Sequence, residues 1–414
     1  MSLVRVIGAA LVALGVALSA RADAPAPRLV AAAGQPAPGG GTFEHFTVEA
    51  LPVVAPINTR GQVAFFASVL RGRSGEALFL ASAGRLTRIA AEGDPAPGGG
   101  TLSGFLRHPI PALNDAGVVA FAAAVSGGRT VEGIFLAGQG RLRAIALTGS
   151  AAPGVVSGTL AALDAPALNN RGDVVFLASI RRGRETIEAI YLASGRAVRK
   201  IVAQGDPAPA GGTFAGFGPP TVNNRGVVAF AAIVDGPAVP GGVFVNESGR
   251  TRMLAGAGDE TVIGGIFAKF SERLALNDAG TVAFAAMLIN APARHGVFVA
   301  ESGRPRKVVA SGDPAPDAGA FSHFGPWPAL AGDGAVAFTA SIDHGTAPLG
   351  IFVATPAGIA RVVAVGDALA EGHRLMSFGL YPIVSVAANG ALTFSTAPTA
   401  TGEGVAAIFT TPPR

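Results

Sequence analysis

The stretch "ALNDAGVVAFAAAV", residues 112–125, decides the fold, because nearly the same phrase occurs seven times along the chain. The other copies read INTRGQVAFFASV, ALNNRGDVVFLASI, TVNNRGVVAFAAIV, ALNDAGTVAFAAML, ALAGDGAVAFTASI and VAANGALTFSTA. Their shared aromatic residue recurs every 54 to 56 residues. A period this regular predicts a structural repeat. The seven aromatic positions are Phe65, Phe121, Phe176, Phe230, Phe284, Phe338 and Phe394.

Each repeat contains four short apolar runs separated by turn residues. The first run ends at an Asn, and a Gly follows three residues after it; Ala331 and Ala387 replace the Asn in the last two copies. An Asn side chain can bond back to the backbone and Gly adopts positive φ at little cost, so Asn-x-x-Gly predicts a tight hairpin. A third run, GIFLA in the second unit, and a fourth after another Gly complete the unit. Four short strands per unit of about 55 residues are typical of a propeller blade.

The sequence therefore predicts an all-β protein, a seven-bladed β-propeller of four-stranded blades that forms a single domain over residues 25–414. The run RLVAA after residue 27 has the character of a fourth strand, and the chain ends on VAAIFTT, a third strand without a fourth. We expect the N-terminal strand to complete the last blade and close the ring, which protects two sheet edges. An open β-solenoid is the alternative, and it predicts capping repeats at both ends instead of complementary half-blades.

The N-terminal segment has the pattern of a cleaved secretory signal. Arg5 precedes an apolar stretch, and small residues stand at Ala20, Ala22 and Ala24. Residues 1–24 are therefore predicted to be a signal peptide, and the mature protein is expected to be secreted or periplasmic. A membrane anchor is the alternative, but about 15 apolar residues fall short of the roughly 20 that span a bilayer. No later apolar run is long enough to span a membrane.

Composition and motifs exclude several functions. The net charge is +4 and charged residues make up only 14% of the chain, which argues against a nucleic-acid partner. The chain has no Cys, so packing must replace disulfides. No Gly-x-Ser-x-Gly elbow, no His-Glu-x-x-His and no phosphate-binding Gly-x-x-x-x-Gly-Lys occurs. We predict no catalytic residue and no cofactor, and we expect a monomer.

The linker between units repeats as GDPAPGGGTF, and five of the seven linkers carry its Asp. Asp before Pro commonly fixes a turn through its own backbone. A cation needs several oxygen ligands, and each linker supplies one carboxylate. We interpret these residues as turn residues and keep metal binding as the alternative. The five candidates are Asp94, Asp206, Asp259, Asp313 and Asp367.

Basic residues recur at the start of the fourth strand. They form either a cationic belt for a ligand or a charged edge that discourages edge-to-edge pairing, and we favour edge protection. The residues are Arg28, Arg88, Arg143, Lys200, Arg252, Arg306 and Arg361.

The turns between the second and third strands vary most, and the parity of a four-stranded meander places them with the linkers on one face. Repeated phrases carry the fold and variable loops are free to specialise, so this face is the predicted ligand face; neutral drift of surface turns is the alternative. The ligand-face candidates are Arg73, Glu76, Arg129, Arg184, Glu185, Asp235, His295, Asp343 and His344.

The Asn-x-x-Gly and Ala-Phe signature resembles that of the bacterial choice-of-anchor tandem-repeat proteins, over essentially the whole mature chain. The resemblance implies a β-propeller-like, exported bacterial protein without an assigned activity, and no catalytic residue carries over. The chain departs from the signature at Ala331, Ala387, Val175 and Thr393. It does not show the sorting or anchoring tail with which many of these proteins end.

Two function hypotheses follow. The first is a non-catalytic binding module whose variable face contacts an unknown protein or glycan. The second is a propeller hydrolase or lyase with a polar cluster at the mouth of the central channel. Histidines and carboxylates gathered near the axis favour the enzyme, whereas an axis lined by Ala, Val and Gly favours the binding module.

Overall fold

The computed structural model describes residues 26–46, 53–105, 110–236, 239–380 and 382–414. These residues form 33 β-strands and one short 3₁₀ turn at Ala370–Gly372. The strands make seven antiparallel sheets. The predicted all-β class and the seven four-stranded blades are confirmed. The predicted signal peptide, residues 1–24, lies outside the described residues.

Each of the first six blades has an inner, a second, a third and an outer strand, which pair in chain order. In blades 2 to 6 the inner strand is interrupted, and its two segments both pair with the second strand. Blade 1 contains β2 (Thr42–Phe43), β3 (Val63–Leu70), β4 (Glu76–Ser82) and β5 (Arg85–Ala91). Blade 2 contains β6 (Thr101–Gly104), β7 (Ala112–Leu113), β8 (Val119–Ser126), β9 (Glu132–Gly138) and β10 (Arg141–Leu147). Blade 3 contains β11 (Thr159–Leu163), β12 (Ala167–Leu168), β13 (Val174–Arg182), β14 (Glu185–Ser194) and β15 (Ala197–Ala203).

The next three blades repeat the five-segment pattern. Blade 4 contains β16 (Thr213–Phe217), β17 (Thr221–Val222), β18 (Val228–Asp235), β19 (Gly241–Glu247) and β20 (Arg250–Gly256). Blade 5 contains β21 (Ile266–Phe270), β22 (Ala275–Leu276), β23 (Val282–Ile289), β24 (His295–Ala300) and β25 (Arg306–Ala310). Blade 6 contains β26 (Ala320–Phe324), β27 (Ala329–Leu330), β28 (Val336–Asp343), β29 (Leu349–Thr355) and β30 (Gly358–Ala364).

Blade 7 combines strands from both ends of the chain. Its strands are β31 (Val384–Val386), β32 (Leu392–Thr396), β33 (Ala407–Thr410) and β1 (Arg28–Ala32). Strand β1 pairs antiparallel with β33, with Arg28 opposite Thr410 and Leu29 opposite Phe409. The N-terminal strand thus occupies the outer position of this blade.

Apolar packing holds the blades together. In every blade the repeated aromatic residue of the second strand packs against an aromatic residue of the third strand, with ring centroids 5.6 to 6.0 Å apart. The buried residues form seven clusters, each of which combines two neighbouring blades. One cluster joins Phe43 of blade 1 to Ala387 and Ile408 of blade 7. Apolar burial, which is worth about 25 cal/mol per Å², is therefore continuous around the ring.

The meander gives the propeller two different faces. The Asn-turn face carries the turns between inner and second strands and those between third and outer strands. The linker face carries the linkers and the turns between second and third strands, here called second turns. Each inner strand runs from the linker face to the Asn-turn face. Within the described ranges, no helix is long and apolar enough to cross a membrane.

Candidate functional site at the central channel

The seven Asn turns meet around the axis. They line a cavity of about 190 Å³ to which every blade contributes residues. This cavity is the mouth of the central channel on the Asn-turn face, and we call it the Asn-turn mouth.

In the five blades that have it, the repeated Asn closes its own turn and also joins two blades. Oδ1 of Asn223 accepts the N–H groups of Arg225 and Val227, each at 3.0 Å. Its Nδ2 donates to the main-chain oxygen of Asn277 in the next blade, also at 3.0 Å. Gly226 has a φ of 83°, as the predicted hairpin requires. Equivalent bonds between blades run from Asn58 to Asn114, from Asn114 to Asn169, from Asn169 to Asn223 and from Asn277 to Ala331.

The two blades without this Asn use other atoms. In blade 6, Oδ1 of Asp333 accepts the N–H of Ala335 at 3.0 Å. The N–H of Gly332 donates to the main-chain oxygen of Ala388 in blade 7 at 3.0 Å. In blade 7, Nδ2 of Asn389 donates to the main-chain oxygen of Thr59 in blade 1 at 2.9 Å. The hydrogen bonds between blades therefore continue around the whole ring.

The residue after each Asn position forms the rim of the mouth. Asp115 accepts hydrogen bonds from the Thr59 amide at 2.8 Å, the Thr59 hydroxyl at 2.6 Å and Nδ2 of Asn170 at 2.7 Å. Asp278 accepts from the amide and from Nδ2 of Asn224 at 2.8 and 2.7 Å. Burial acts to raise the pKa of Asp115, but these hydrogen bonds outweigh it and hold that pKa below its ordinary value. The rim carboxylates thus already serve as acceptors between blades.

An apolar ring lies just inside the rim. One aliphatic residue from each blade, directly before the Asn position, lines the same cavity. We call this ring the aliphatic collar: Ile57, Leu113, Leu168, Val222, Leu276, Leu330 and Val386.

Beyond the collar, towards the linker face, lies a buried cation. Arg273 lies in the interruption between β21 and β22, and Trp327 has the same place in blade 6. The guanidinium carbon of Arg273 is 5.2 Å from the centroid of the Trp327 ring, within cation–π range. Its Nε is buried and has no hydrogen-bond partner in the part of the chain that the structure describes. Sequence reasoning missed this pair, although Trp327 is the chain's single Trp.

Two effects act in opposite directions on the pKa of Arg273. Burial lowers this pKa, and the negative charge of Asp164 raises it. Asp164 lies between β11 and β12 in blade 3, two blades away. Arg273 lies in an inner-strand segment, and the inner strands of a propeller surround its central channel. Arg273 stays protonated, because an arginine pKa lies far above neutrality.

The five linker Asp side chains fix the turns that follow the outer strands. Each carboxylate accepts the N–H of the residue three positions before it, at 2.6 to 2.8 Å. Among the described residues, no group of three or more His, Asp or Glu could hold a metal ion. The contacts agree with the turn interpretation, and metal binding by these residues stays the untested alternative. The residues are Asp94, Asp206, Asp259, Asp313 and Asp367.

Four of these carboxylates also pair with a basic residue of the preceding outer strand. Asp94 pairs with Arg88 at 3.3 Å, and Asp206 with Lys200 at 3.0 Å. Asp313 pairs at 3.0 Å with Lys307, the residue after the predicted Arg306. The fourth pair is Arg361 with Asp367 at 3.4 Å. Such half-exposed pairs contribute about 0–1 kcal/mol each.

Two of the predicted ligand-face residues lie in blade 1. Arg73 is exposed and lines, with Arg88, a cavity of about 110 Å³. Glu76 accepts the N–H of Phe105 in blade 2 at 3.0 Å. That carboxylate therefore takes part in the contact between two blades.

The remaining ligand-face candidates are spread over five further blades. The ring centroid of His295 lies 5.4 Å from that of His323 in the next blade. Burial lowers the pKa of His295, and the charges of His323 and Arg294 lower it further. The structure does not gather the nine predicted residues into one site. Besides Arg73, the exposed residues among these candidates are Arg129, Arg184, Glu185, Asp235, Asp343 and His344.

A second cavity on the linker face lies between blades 2 and 3. It measures about 350 Å³ and is lined mainly by apolar residues, among them Phe105, Val131 and Leu163. Glu132 supplies a carboxylate to its wall and accepts the N–H of Leu163 at 3.2 Å.

Sequence comparison assigns the propeller to a family. The sequence model described as "Family of unknown function (DUF7453)" matches residues 17–240 and 238–409. The chain belongs to this family. The match does not confirm the resemblance to the choice-of-anchor repeat proteins. No curated protein sequence matches the chain.

Solved structures share the architecture at low identity. An oligogalacturonate lyase in complex with manganese has a TM-score of 0.51 and 14% identity, over 94% of this chain and 97% of that one. This likeness shows the fold alone. A puromycin-hydrolyzing peptidase from Mycobacterium tuberculosis has a TM-score of 0.49 and 16% identity, over 88% and 52% of the two chains. A polysaccharide lyase has a TM-score of 0.48 and 8% identity, over 93% and 97%.

Proposed function

We propose that the protein is an exported, non-catalytic binding propeller that takes a glycan or protein ligand on its axis, from the linker face. The observation that carries the proposal is the buried Nε of Arg273, which has no hydrogen-bond partner. A buried donor left unsatisfied costs about 1–3 kcal/mol. A ligand that supplies an acceptor at this point removes that cost, and binding energy is gained where the free protein lacks a contact.

The direction of entry follows from the two ends of the channel. At the Asn-turn mouth the polar side chains bond to one another, and the aliphatic collar lies between that mouth and Arg273. The linker face carries the variable second turns, with exposed charges such as Arg129 and Asp343. These turns would contact the parts of a ligand that extend beyond the channel.

The second hypothesis, a hydrolase or lyase at the channel mouth, has weaker support. A general base works best when its pKa lies near the working pH. The pKa of Asp115 is lowered by hydrogen bonds from Thr59 and Asn170, which makes this carboxylate a weak base. Asp278 likewise accepts two hydrogen bonds from Asn224.

A ligand screen with two variants tests the proposal. The mature protein, Arg273→Met and Arg199→Met are screened by thermal shift against glycans and extracellular proteins. Arg199 is an exposed outer-strand arginine and serves as the matched control. At least one ligand should raise the Tm of the wild type and of Arg199→Met, and should have little effect on Arg273→Met.

Two results would count against this function. A ligand that stabilises all three proteins equally binds away from the axis. Chemical conversion of a ligand during the screen, detected by chromatography, would replace the binding function with the enzymatic one.

A further inference from the structure

We propose that Arg273 and Trp327 form a carboxylate-binding site on the axis, so that the ligand is an organic acid or an acidic residue of a glycan. This inference rests on the proposed axial binding and adds the chemical class of the ligand. It starts from three observations on the same residue: a buried Nε, an aromatic ring beside the guanidinium, and a position in an inner-strand segment.

The charge of Arg273 calls for an anion. Charged side chains that are taken out of water are normally paired. Asp164 influences Arg273 electrostatically, and Nε of Arg273 has no hydrogen-bond partner within the described part of the chain. Solvent reaches part of the Arg273 side chain but not its Nε, so pairing of a ligand with Nε requires a movement of this side chain.

The orientation of the guanidinium favours a planar, two-oxygen acceptor. Nε and one terminal nitrogen form the side-on edge of an arginine, and that edge matches the two oxygens of a carboxylate. Nε of Arg273 has no acceptor among the described residues, so this edge still lacks a hydrogen-bond partner there. Contact with the Trp327 ring limits the rotamers of Arg273 and reduces the entropy lost on binding.

The backbone next to both residues is closely packed, once between blades and once within a blade. A Cβ added to Gly218 of blade 4 would collide with the main-chain oxygen of Glu272, the residue before Arg273. A Cβ added to Gly325, two residues before Trp327, would collide with the Thr339 hydroxyl of the same blade. Such packing favours a preorganised binding site.

The single Trp of the chain makes this site directly observable. Trp327 fluorescence of the mature protein is titrated with acetate, galacturonate, galactose and sulfate, at ionic strength matched with chloride. Galacturonate and galactose differ by one carboxylate, which isolates the group under test. We expect acetate and galacturonate to change the emission in a saturable way, and galactose and sulfate to have little effect.

Variants then assign the response to the arginine. Arg273→Met should weaken carboxylate binding roughly a hundredfold, because the charge and the paired donors are lost. Arg273→Lys should weaken it less, since an ammonium keeps the charge without the fork. Arg199→Met should respond like the wild type. An oligogalacturonide that binds more tightly than galacturonate would identify the source as a glycan, and equal affinities would identify a small organic acid.

Failure of this inference and failure of the proposed function give different results. If sulfate binds as well as acetate and both need Arg273, the carboxylate class is wrong while axial binding stands. If galactose binds as well as galacturonate, the class is again wrong. If no probe changes Trp327 emission and Arg273→Met retains every ligand found by thermal shift, both are overturned.

Discussion

Two levels of the central channel use their side chains in opposite ways. At the Asn-turn mouth, the repeated Asn donates to the next blade in five consecutive blades. Four residues earlier in each repeat, six different residue types occur at the seven positions, and Nε of Arg273 has no hydrogen-bond partner among the described residues. The difference teaches that the repeated positions close the ring, whereas the unrepeated positions are free to bind. The unrepeated set is Val54, Ile110, Ala165, Pro219, Arg273, Trp327 and Ile383.

The largest expected effect concerns the strand that joins the chain ends. Deletion of residues 28–33 removes β1, uncovers the edge of β33 and takes buried Ala31 and Ala32 out of two interblade clusters. We expect a loss of about 4 kcal/mol or more in the free energy of unfolding, measured by urea denaturation and circular dichroism. Deletion of residues 412–414 is the control and should cost far less. Similar losses for both deletions would mean that the Asn-turn hydrogen bonds close the ring without β1.

Within one turn, the buried Asn should matter more than its exposed neighbour. Asn223→Ala removes three hydrogen bonds from a buried site, and about 2–3 kcal/mol of unfolding free energy should be lost. Asn224→Ala removes two rim hydrogen bonds near solvent, from its Nδ2 to Asp278 and from the Asn170 amide to its Oδ1, and should cost about 1 kcal/mol or less. Equal urea midpoints for the two variants would show that the ring does not depend on the buried Asn.

The sixth blade suggests a rescue of that defect. Its Ala331 is accompanied by Asp333, whose carboxylate takes over one N–H of the turn. Adding Arg225→Asp to Asn223→Ala copies this arrangement into blade 4 and should restore about 1 kcal/mol. Arg225→Asp alone serves as the control, and it should destabilise slightly because Arg225 donates to the oxygen of Ala279. If the double variant is less stable than Asn223→Ala, the substitution in blade 6 is not a local compensation.

The rim should contribute in a pH-dependent way. The pKa of Asp115 is lower in the folded protein than its ordinary value of 3.8, so its contribution is present above that pH and is lost as the pH falls further. Asp115→Asn should therefore cost about 1 kcal/mol at neutral pH, and the difference should fade below about pH 3.8. Unfolding midpoints at pH 7 and pH 3 measure this, and a constant difference would contradict it.

The smallest expected effect is at Arg273. Its buried Nε has no hydrogen-bond partner among the described residues, so Arg273→Met should leave the stability of the free protein within about 0.5 kcal/mol of the wild type, or raise it. Thermal melts without ligand provide the measurement. A large loss would show that Arg273 supports the fold, and would remove the contrast between the two levels of the channel.

Much of the fold follows from the sequence because the repeat states it seven times. The spacing from Phe121 to its copies predicts the blades, and the Gly of each Asn turn predicts a positive φ that Gly226 indeed has. The bonds from each Asn to the next blade were not predictable, since a repeat indicates equivalent positions and not which of them touch. The ion pair of Asp313 with Lys307 instead of Arg306 was within reach of the sequence, because all four such pairs share a spacing of six residues.

The candidate site was beyond sequence reasoning. Arg273 and Trp327 belong to different blades, and neither stands in a recognisable motif. Their contact arises because the inner strands of two repeats converge on one axis. What the sequence does offer is a departure from its own pattern, since a cation and an aromatic residue replace small or aliphatic residues at one repeated position.

The pairing of β1 with β33 also sets an order of events in folding. The partner of β1 lies far later in the sequence, so this sheet can form only after β33 has been synthesised. Six blades can assemble from neighbouring segments, while the seventh requires two distant segments to meet, and loop closure between distant segments is slow. Until that meeting, β1 and the third strand of blade 7 each expose an unpaired edge, which is the hazard that strand pairing removes. A newly made chain is thus most exposed to aggregation in the interval before β1 pairs with β33.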